Sequence, residues 1–241
     1  MRYAVLSDVH ANLEALRAVL ADAEGRVDGV VCLGDVVGYG ADPVACVETI
    51  GARVEALVAG NHDHAVAGRL EFAWFNPHAR AALDWTLARL SDDHRAWLAG
   101  RPLVTCIAEA TLVHASPRNP DEWDYLLSPD DGWEAFAAFD TRVCFVGHSH
   151  RPAVWSLGSS GPDFDASPSR VTFESGRRYI VNVGSVGQPR DGDPRAAYAV
   201  WDADARTVTL RRVAYDVEAA RRKIQAAGLP RRLADRLTIG T

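Results

Sequence analysis

Apolar and polar positions alternate along this chain in blocks whose spacing changes part-way. Tyr3–Ser7 is an apolar run and predicts a buried strand. From Asn12 to Ala23, Leu13, Leu16, Val19 and Leu20 recur at helical spacing. A strand over Gly29–Leu33, a short helix opened by Asp42 and Pro43, and a strand over Val54–Ala59 follow. Asp42 suits an N-cap, and Pro43 suits the first helical position, where its missing N–H is not needed. Strands alternating with helices imply βαβ units and parallel pairing.

Asn76 and Pro77 open a second helical region, with Ala79, Leu83, Leu87 and Leu90 on one face. Ser91 then caps a shorter helix carrying Trp97 and Leu98. Beyond it the pattern turns β-rich. Strands are expected at Leu103–Ile107, Thr111–Ala115, Val143–Val146, Ala153–Leu157, Val171–Glu174, Tyr179–Val183, Ala197–Trp201 and Thr207–Val213. The last two flank Asp202 to Arg206, a hairpin loop. Residues 158–169, rich in Gly, Ser, Pro and Asp, read as an exposed loop. A closing helix runs from Asp216 to Ala227 and stops at Gly228 and Pro230. No repeat or linker interrupts this order, so one domain is expected over 1–241.

Composition narrows the class. With 48% hydrophobic and 24% charged residues the chain reads as globular. No apolar run reaches the length of a membrane span, and Asp8 comes too early for a signal peptide. Cys32, Cys46, Cys106 and Cys144 form no CxxC pair, which suits small buried hydrophobes in a reducing compartment. A cytoplasmic location is therefore expected. The net charge of −6 argues against a general nucleic-acid binder, and it leaves any anionic ligand in need of a local positive centre.

Five polar clusters follow apolar strands: Asp8-Val9-His10, Gly34-Asp35 with Gly38 and Gly40, Gly60-Asn61-His62-Asp63, His114, and Gly147-His148-Ser149-His150. In open α/β sheets, ligands bind beyond the carboxyl ends of the strands, so successive strand ends would deliver these side chains to one crevice. Asp8 to Asp35 spans 27 residues and Asp35 to Asn61 spans 26, each long enough for one βαβ step. Carboxylate, imidazole and amide oxygen suit divalent ions of intermediate softness. Seven such groups exceed what one ion takes and suit two ions sharing a carboxylate. Singly, each cluster has an ordinary reading as a turn or a buried histidine. Together and in order, they do not.

These motifs resemble the calcineurin-like metallophosphoesterase superfamily, whose pattern is D-x-H, G-D-x-x-x-x-G, G-N-H-D/E, a lone His and G-H-x-H. The segments Ser7 to Leu16 and Asn182 to Pro189 are similar to its small prokaryotic, phosphodiesterase-like branch. The differences are mild: Ser149 stands where Thr is usual, and Val183 where Pro is frequent. The resemblance implies an α/β fold, the metallophosphoesterase-type four-layer αββα sandwich with two mixed sheets. It implies two divalent metal ions per chain, from manganese, iron, zinc, nickel or cobalt. Asp8, His10, Asp35 and His150 would hold the first, and Asp35, Asn61, His114 and His148 the second. A hydroxide bridging the metals would attack a phosphate ester. His62 would be catalytic, as acid to the leaving oxygen or donor to the phosphate, and Asp63 would orient it. Asn12 and Arg118 are expected at the substrate, Arg118 as a bidentate donor.

Two divalent ions, two carboxylates and a hydroxide leave the cluster near +1, which favours a singly charged phosphodiester. Trp74, Phe75, Trp123 and Tyr125 could wall a pocket for its second organic group. A small phosphorylated substrate, a nucleotide among the candidates, is the expected partner, with no membrane and no nucleic acid; a homo-oligomer is compatible. Phosphomonoesters and dinucleoside polyphosphates fit the same core. A non-catalytic metal-binding scaffold is the reading of another class. His64, His78 and His94 are expected to be solvated or structural, and Arg190 ranks below Arg118.

Overall fold

Period-two alternation in the strands divides the apolar residues of the chain between two faces. In a computed structural model describing all 241 residues, strand β1 (Arg2–Leu6) points Tyr3 and Val5 one way and Ala4 and Leu6 the other. Helix α1 (Leu13–Ala23) covers the Ala4 side with Leu16, Val19 and Leu20. Strand β2 (Gly29–Cys32), helix α2 (Pro43–Arg53) and strand β3 (Ala56–Leu57) complete the parallel part. Three helices follow, α3 (Asn61–Val66), α4 (Pro77–Leu87) and α5 (Asp92–Ala99).

The second sheet begins with β4 (Val104–Ile107) and β5 (Ala110–Val113), continues after α6 (Pro129–Ala135) with β6 (Val143–Val146), then β7 (Ala153–Gly158) and β8 (Gly161–Asp165). After β9 (Arg170–Thr172), strand β10 (Arg178–Asn182) returns to it. The chain then closes with β11 (Ala196–Asp202), β12 (Thr207–Val213), α7 (Val217–Ala226) and α8 (Arg231–Asp235). The first sheet has the order β3-β2-β1-β11-β12-β9 and the second β4-β5-β6-β10-β7-β8. Both are mixed: β3, β2 and β1 run parallel in one, β5, β6 and β10 in the other.

The sheets pack face to face over Tyr3, Val5, Leu112, Phe145, Val181 and Trp201. Outside the first sheet lie α1 and α2; outside the second, Phe136 and Phe139 pack on Val146, Trp155 and Ile180. Four layers result, as the motifs implied. Arg211 grips Asp22 with two nitrogens, at 2.6 and 2.9 Å, and Tyr198 donates to the same carboxylate, so α1 is pinned to β11 and β12. Lys223 of α7 bridges Glu14 of α1 and Asp42 of α2. No helix is long and apolar enough to cross a membrane.

Some expectations need correction. Residues 158–169 are not simply a loop, because Gly161–Asp165 forms β8, paired antiparallel with β7 at the sheet edge. An edge strand needs only backbone pairing on one side, so its polar, Gly- and Pro-containing sequence carries no alternation to detect. The strand expected over Val54–Ala59 shrinks to Ala56–Leu57. Helices α3, α6 and α8 have 6, 7 and 5 residues, too short for a periodic signal.

Trp201 is 2% exposed, its ring stacks on Tyr3 at 5.4 Å and approaches Phe145 at 5.3 Å, so it touches both sheets. Trp201→Ala is expected to cost about 3–5 kcal/mol of folding stability through the cavity left between the sheets, measured by urea unfolding.

Candidate metal centre

The carboxyl ends of β1, β2, β5 and β6 meet along one crest, and the loops leaving them carry the polar clusters. Asp8, His10, Asp35, His62, Asp63, His114, His148 and His150 are all buried there, none more than 6% exposed. A buried polar group needs a partner, and Asp8, Asp35, His10, His114 and His150 meet that demand with only one end of each side chain.

Asp8 accepts from the His148 backbone N–H through Oδ2 at 3.0 Å. Its other oxygen, Oδ1, is buried without a hydrogen bond. Around Oδ1 stand the Nε2 atoms of His150, His10 and His114, at 3.2, 3.6 and 3.9 Å. Asp35 repeats the pattern. Its Oδ1 accepts from the His62 backbone N–H at 2.9 Å, and its Oδ2 faces His114 Nε2 at 3.4 Å and His10 Nε2 at 3.6 Å.

The histidines divide likewise. The Nδ1 of His10 faces the Val37 carbonyl at 3.0 Å, that of His114 the Leu33 carbonyl at 2.8 Å, and that of His150 the Gln188 carbonyl at 2.5 Å. A carbonyl only accepts, so the proton belongs on Nδ1 and the lone pair on Nε2, the arrangement common to metal-ligating histidines. Yet His10 Nε2 and His150 Nε2 face each other at 3.0 Å, and His114 Nε2 faces His148 Nδ1 at 3.2 Å. The lone pairs of His10 and His150 so placed repel unless a cation lies between them. Asn61 Oδ1 is also buried without a partner. This donor set fits divalent metal. Asp8, His10 and His150 form one group able to hold an ion, Asp35, His114 and His148 another, and His10, Asp35 and His62 a third between them.

Charge follows the same geometry. Burial disfavours the Asp8 carboxylate, but His150 and the other imidazoles around Oδ1 hold its pKa well below the usual range. Asp35 is lowered against burial by His114 and His62. Burial lowers His148 and His150 to about 3, helped by His114 and Arg190 respectively. His114 rises to about 9: burial opposes its charge, and Asp35 overcomes that. Burial keeps the His62 imidazole neutral, with its pKa well below the ordinary value.

Close approach of backbone makes the crest possible. A Cβ at Gly147 would lie 1.9 Å from Ser7 Oγ and 2.5 Å from Asp8 Oδ2, and one at Gly60 would lie 2.0 Å from Asp35 Oδ1. Asp8, His10, Ala11, Asp35, Tyr39, His148 and His150 all have φ between 49° and 62°, the left-handed region.

The cleft over the crest has a volume of about 590 Å³. Asp35, Asn61, His62, His148 and His150 form its floor, Trp74 and Phe75 one part of its wall, Trp123 and Tyr125 another. Tyr125 stacks on His148 at 4.1 Å, and Trp74 is 81% exposed at the rim.

Three expected roles change. Arg118 does not reach this cleft; it pairs with Glu134 at 2.7 Å, both half exposed. The arginine that lines it is Arg190, whose Nη2 donates to Gln188 Oε1 at 3.0 Å and whose buried Nε has no partner. Its signal was available, since it closes the loop beginning at Asn182. Asn12 contacts no part of the cleft; it caps α1 by accepting from the Ala15 N–H and donates to the Gly187 carbonyl and the Tyr215 hydroxyl. Asp63 does not hold the His62 ring. It accepts from the backbone N–H groups of Val36, Val37 and Gly60, at 3.0, 3.3 and 3.1 Å. Burial and the nearby Asp35 push it up to about 7. His64, expected to be solvated or structural, is buried against Trp123.

Comparison with known proteins agrees with this geometry. A model of the calcineurin-like phosphoesterase superfamily domain matches residues 1–206. An uncharacterized protein of Methanocaldococcus jannaschii is 38% identical over 98% of this chain and 97% of its own length. A metallophosphoesterase from Sphaerobacter thermophilus superposes with a TM-score of 0.88 at 44% identity, covering 100% of this chain and 99% of that one. A hypothetical protein from Pyrococcus horikoshii OT3 has the same fold, with a TM-score of 0.77 at 21% identity over 100% and 98% of the two chains.

Asp63→Ala removes the acceptor of three buried N–H groups in two ligand loops. It is expected to cost about 2–4 kcal/mol of stability and to weaken manganese binding, checked by urea unfolding and calorimetric titration.

Proposed function

Since the chain belongs to the calcineurin-like phosphoesterase superfamily, we propose that it is a dinuclear metal-dependent hydrolase of phosphate esters, with phosphodiesters preferred. The observation that carries this reading is the divided donor set: each carboxylate and three of the imidazoles bind the fold through one atom and aim the other at a common centre.

Asp8, His10, Asp35 and His150 would hold one ion, and Asp35, Asn61, His114 and His148 the other, with Asp35 shared. When bound, such a pair supplies activated water as nucleophile and a positive charge to meet the phosphate. The protein's own residues do the rest. Asp8 Oδ2 and Asp35 Oδ1 fix the carboxylates against backbone N–H groups, so their free oxygens need no reorganisation. Tyr39 and Phe75 pack on the His62 ring at 4.6 and 4.9 Å, and its buried Nδ1 is unpartnered. His62 lines the cleft, and a ring so held is suited to act on the leaving oxygen. Arg190, lining the same cleft, would hold a non-bridging phosphate oxygen in place of Arg118. The aromatic walls would receive the second organic group of a diester.

Arg190 also favours a second reading. It adds a charge that a dianionic monoester would balance, so phosphomonoester hydrolysis competes with the diester preference.

Two ions per chain are expected by elemental analysis after manganese loading. Asp35→Asn should weaken both, whereas His62→Gln should lower kcat and leave both bound. Loss of an ion from His62→Gln would make that residue a ligand, and calorimetric titration decides it.

The substrate preference is checked by kcat/KM for bis(p-nitrophenyl) phosphate against p-nitrophenyl phosphate in manganese. The diester is expected to lead, and Trp123→Ala to narrow the gap. A clear monoester lead would select the second reading.

A further inference from the structure

The segment from Asn182 to Arg190 binds the backbone of two ligand loops. Asn182 Nδ2 donates to the Gly147 carbonyl at 2.7 Å, and Ser185 Oγ donates to the Asp8 carbonyl at 2.9 Å. Its grip on His150 is double. The Gln188 carbonyl faces His150 Nδ1 at 2.5 Å, and the Arg190 N–H donates to the His150 carbonyl at 3.2 Å. Pro189 between them is buried; its ring fixes its own φ and biases Gln188 to extended backbone. The main chain of Gln188 thus sets where the His150 ring stands.

The side chain of Gln188 is 2% exposed, so its amide also needs partners. Its Oε1 accepts from Arg190 Nη2 and from Arg236 Nη1, each at 3.0 Å. Arg190 lines the cleft, and Arg236 stands outside it. Arg236 is itself tethered, because its Nε donates to the main-chain oxygen of Thr241. The 3₁₀ turn that it opens, Arg236–Thr238, is anchored by Leu237, buried in one apolar cluster with Tyr39, Ala220 and Leu233. After that turn, the Gly240 carbonyl accepts from the Gly192 N–H at 2.9 Å, and a Cβ at Gly240 would lie 2.7 Å from the Asp193 main chain. A planar fork bound through two of its nitrogens has little freedom left. The final turn therefore grips the loop that orients His150.

We propose that Arg236 is a positioning residue for the metal centre, acting through Gln188. By clamping the Gln188 amide it keeps that residue's carbonyl against His150 Nδ1. Through the same oxygen it keeps the Arg190 guanidinium at the cleft. The partner of a ligating histidine sets the ring's orientation and the basicity of its other nitrogen, and its loss costs roughly 10–100-fold in metal affinity. Arg236 acts one residue further out, so the lower end of that range applies. The assignment rests on the reading of His150 as a metal ligand, not on hydrolysis.

Calorimetric manganese titration of the full chain tests it, with Gln188→Leu, Arg236→Leu and the double variant beside wild type. Each single change should weaken one ion about tenfold and the other less than about threefold. The double variant should lose no more than either single change, because both break the same joint. Arg236→Lys keeps the charge without the fork and should recover part of the loss. It carries the comparison, alone and with Gln188→Leu, if Arg236→Leu does not fold. Arg221→Leu breaks the pairs to Glu218 and Asp235 in the same region without touching Gln188, and should leave both ions within about twofold of wild type. Unchanged manganese binding in Arg236→Leu, equal weakening of both ions, a loss of about a hundredfold in the double variant, or an equal loss in Arg221→Leu would overturn the assignment. A second readout needs no metal: exchange of the His150 Nδ1 proton with water, followed by NMR in histidine-labelled protein and assigned by its loss in His150→Gln. It should quicken about fivefold or more in Arg236→Leu. A chain that takes up no manganese yet shows this change would sink the metal centre and leave the joint standing. A chain that hydrolyses esters with neither readout moved would do the reverse.

Discussion

The crest depends on one constraint: both carboxylates and three of the imidazoles aimed at it are held by their other ends. Asp8 and Asp35 each give one oxygen to a backbone N–H of a different loop, and His10, His114 and His150 each give Nδ1 to a carbonyl. Several of these bonds cross from one sheet to the other. Asp8 follows β1 and bonds His148 beyond β6; His114 follows β5 and bonds Leu33 beyond β2. The site and the sandwich are therefore parts of one construction. Polar groups that would be costly between two apolar sheets satisfy one another at their edge, and the atoms left over face a single point.

The same constraint explains how an acidic chain can receive an anion. The carboxylates within the crest face imidazoles and metal-ready space, not solvent, so their charge is cancelled locally. Arg190, whose guanidinium has no carboxylate partner, lines the cleft. What an approaching phosphate meets is this arrangement rather than the net charge of −6.

The parallel half of the fold was legible because buried strands and amphipathic helices leave strong periodic signals, and the crest residues were legible because each interrupts such a signal at a strand end. What escaped had no such signal. Gly161–Asp165 pairs through its backbone, with Phe164, its one aromatic residue, packing on the sheet against Trp155. Asn12 and Asp63 stand beside ligands in sequence, yet both hold backbone rather than substrate, a distinction set by which N–H groups the neighbouring loops present. Arg118 and Arg190 each follow a motif closely, four residues after His114 and one after Pro189. Only the path of the chain decides that one turns out to Glu134 and the other into the cleft.

The left-handed backbone of the ligand loops carries an evolutionary consequence. Asp8, His10, Asp35, His148 and His150 all adopt positive φ, and the non-glycine residues that tolerate that conformation best are Asn, Asp and His. These are also the types that ligate divalent ions through oxygen or nitrogen. Folding and coordination thus filter mutations through the same narrow alphabet. A change from Asp to Asn or His at these positions strains no backbone, so it alters the donor a loop presents while the loop keeps its shape. A β-branched replacement is barred twice over. Single steps can therefore change the donors at these positions, whereas most other residue types meet the backbone conformation as an obstacle.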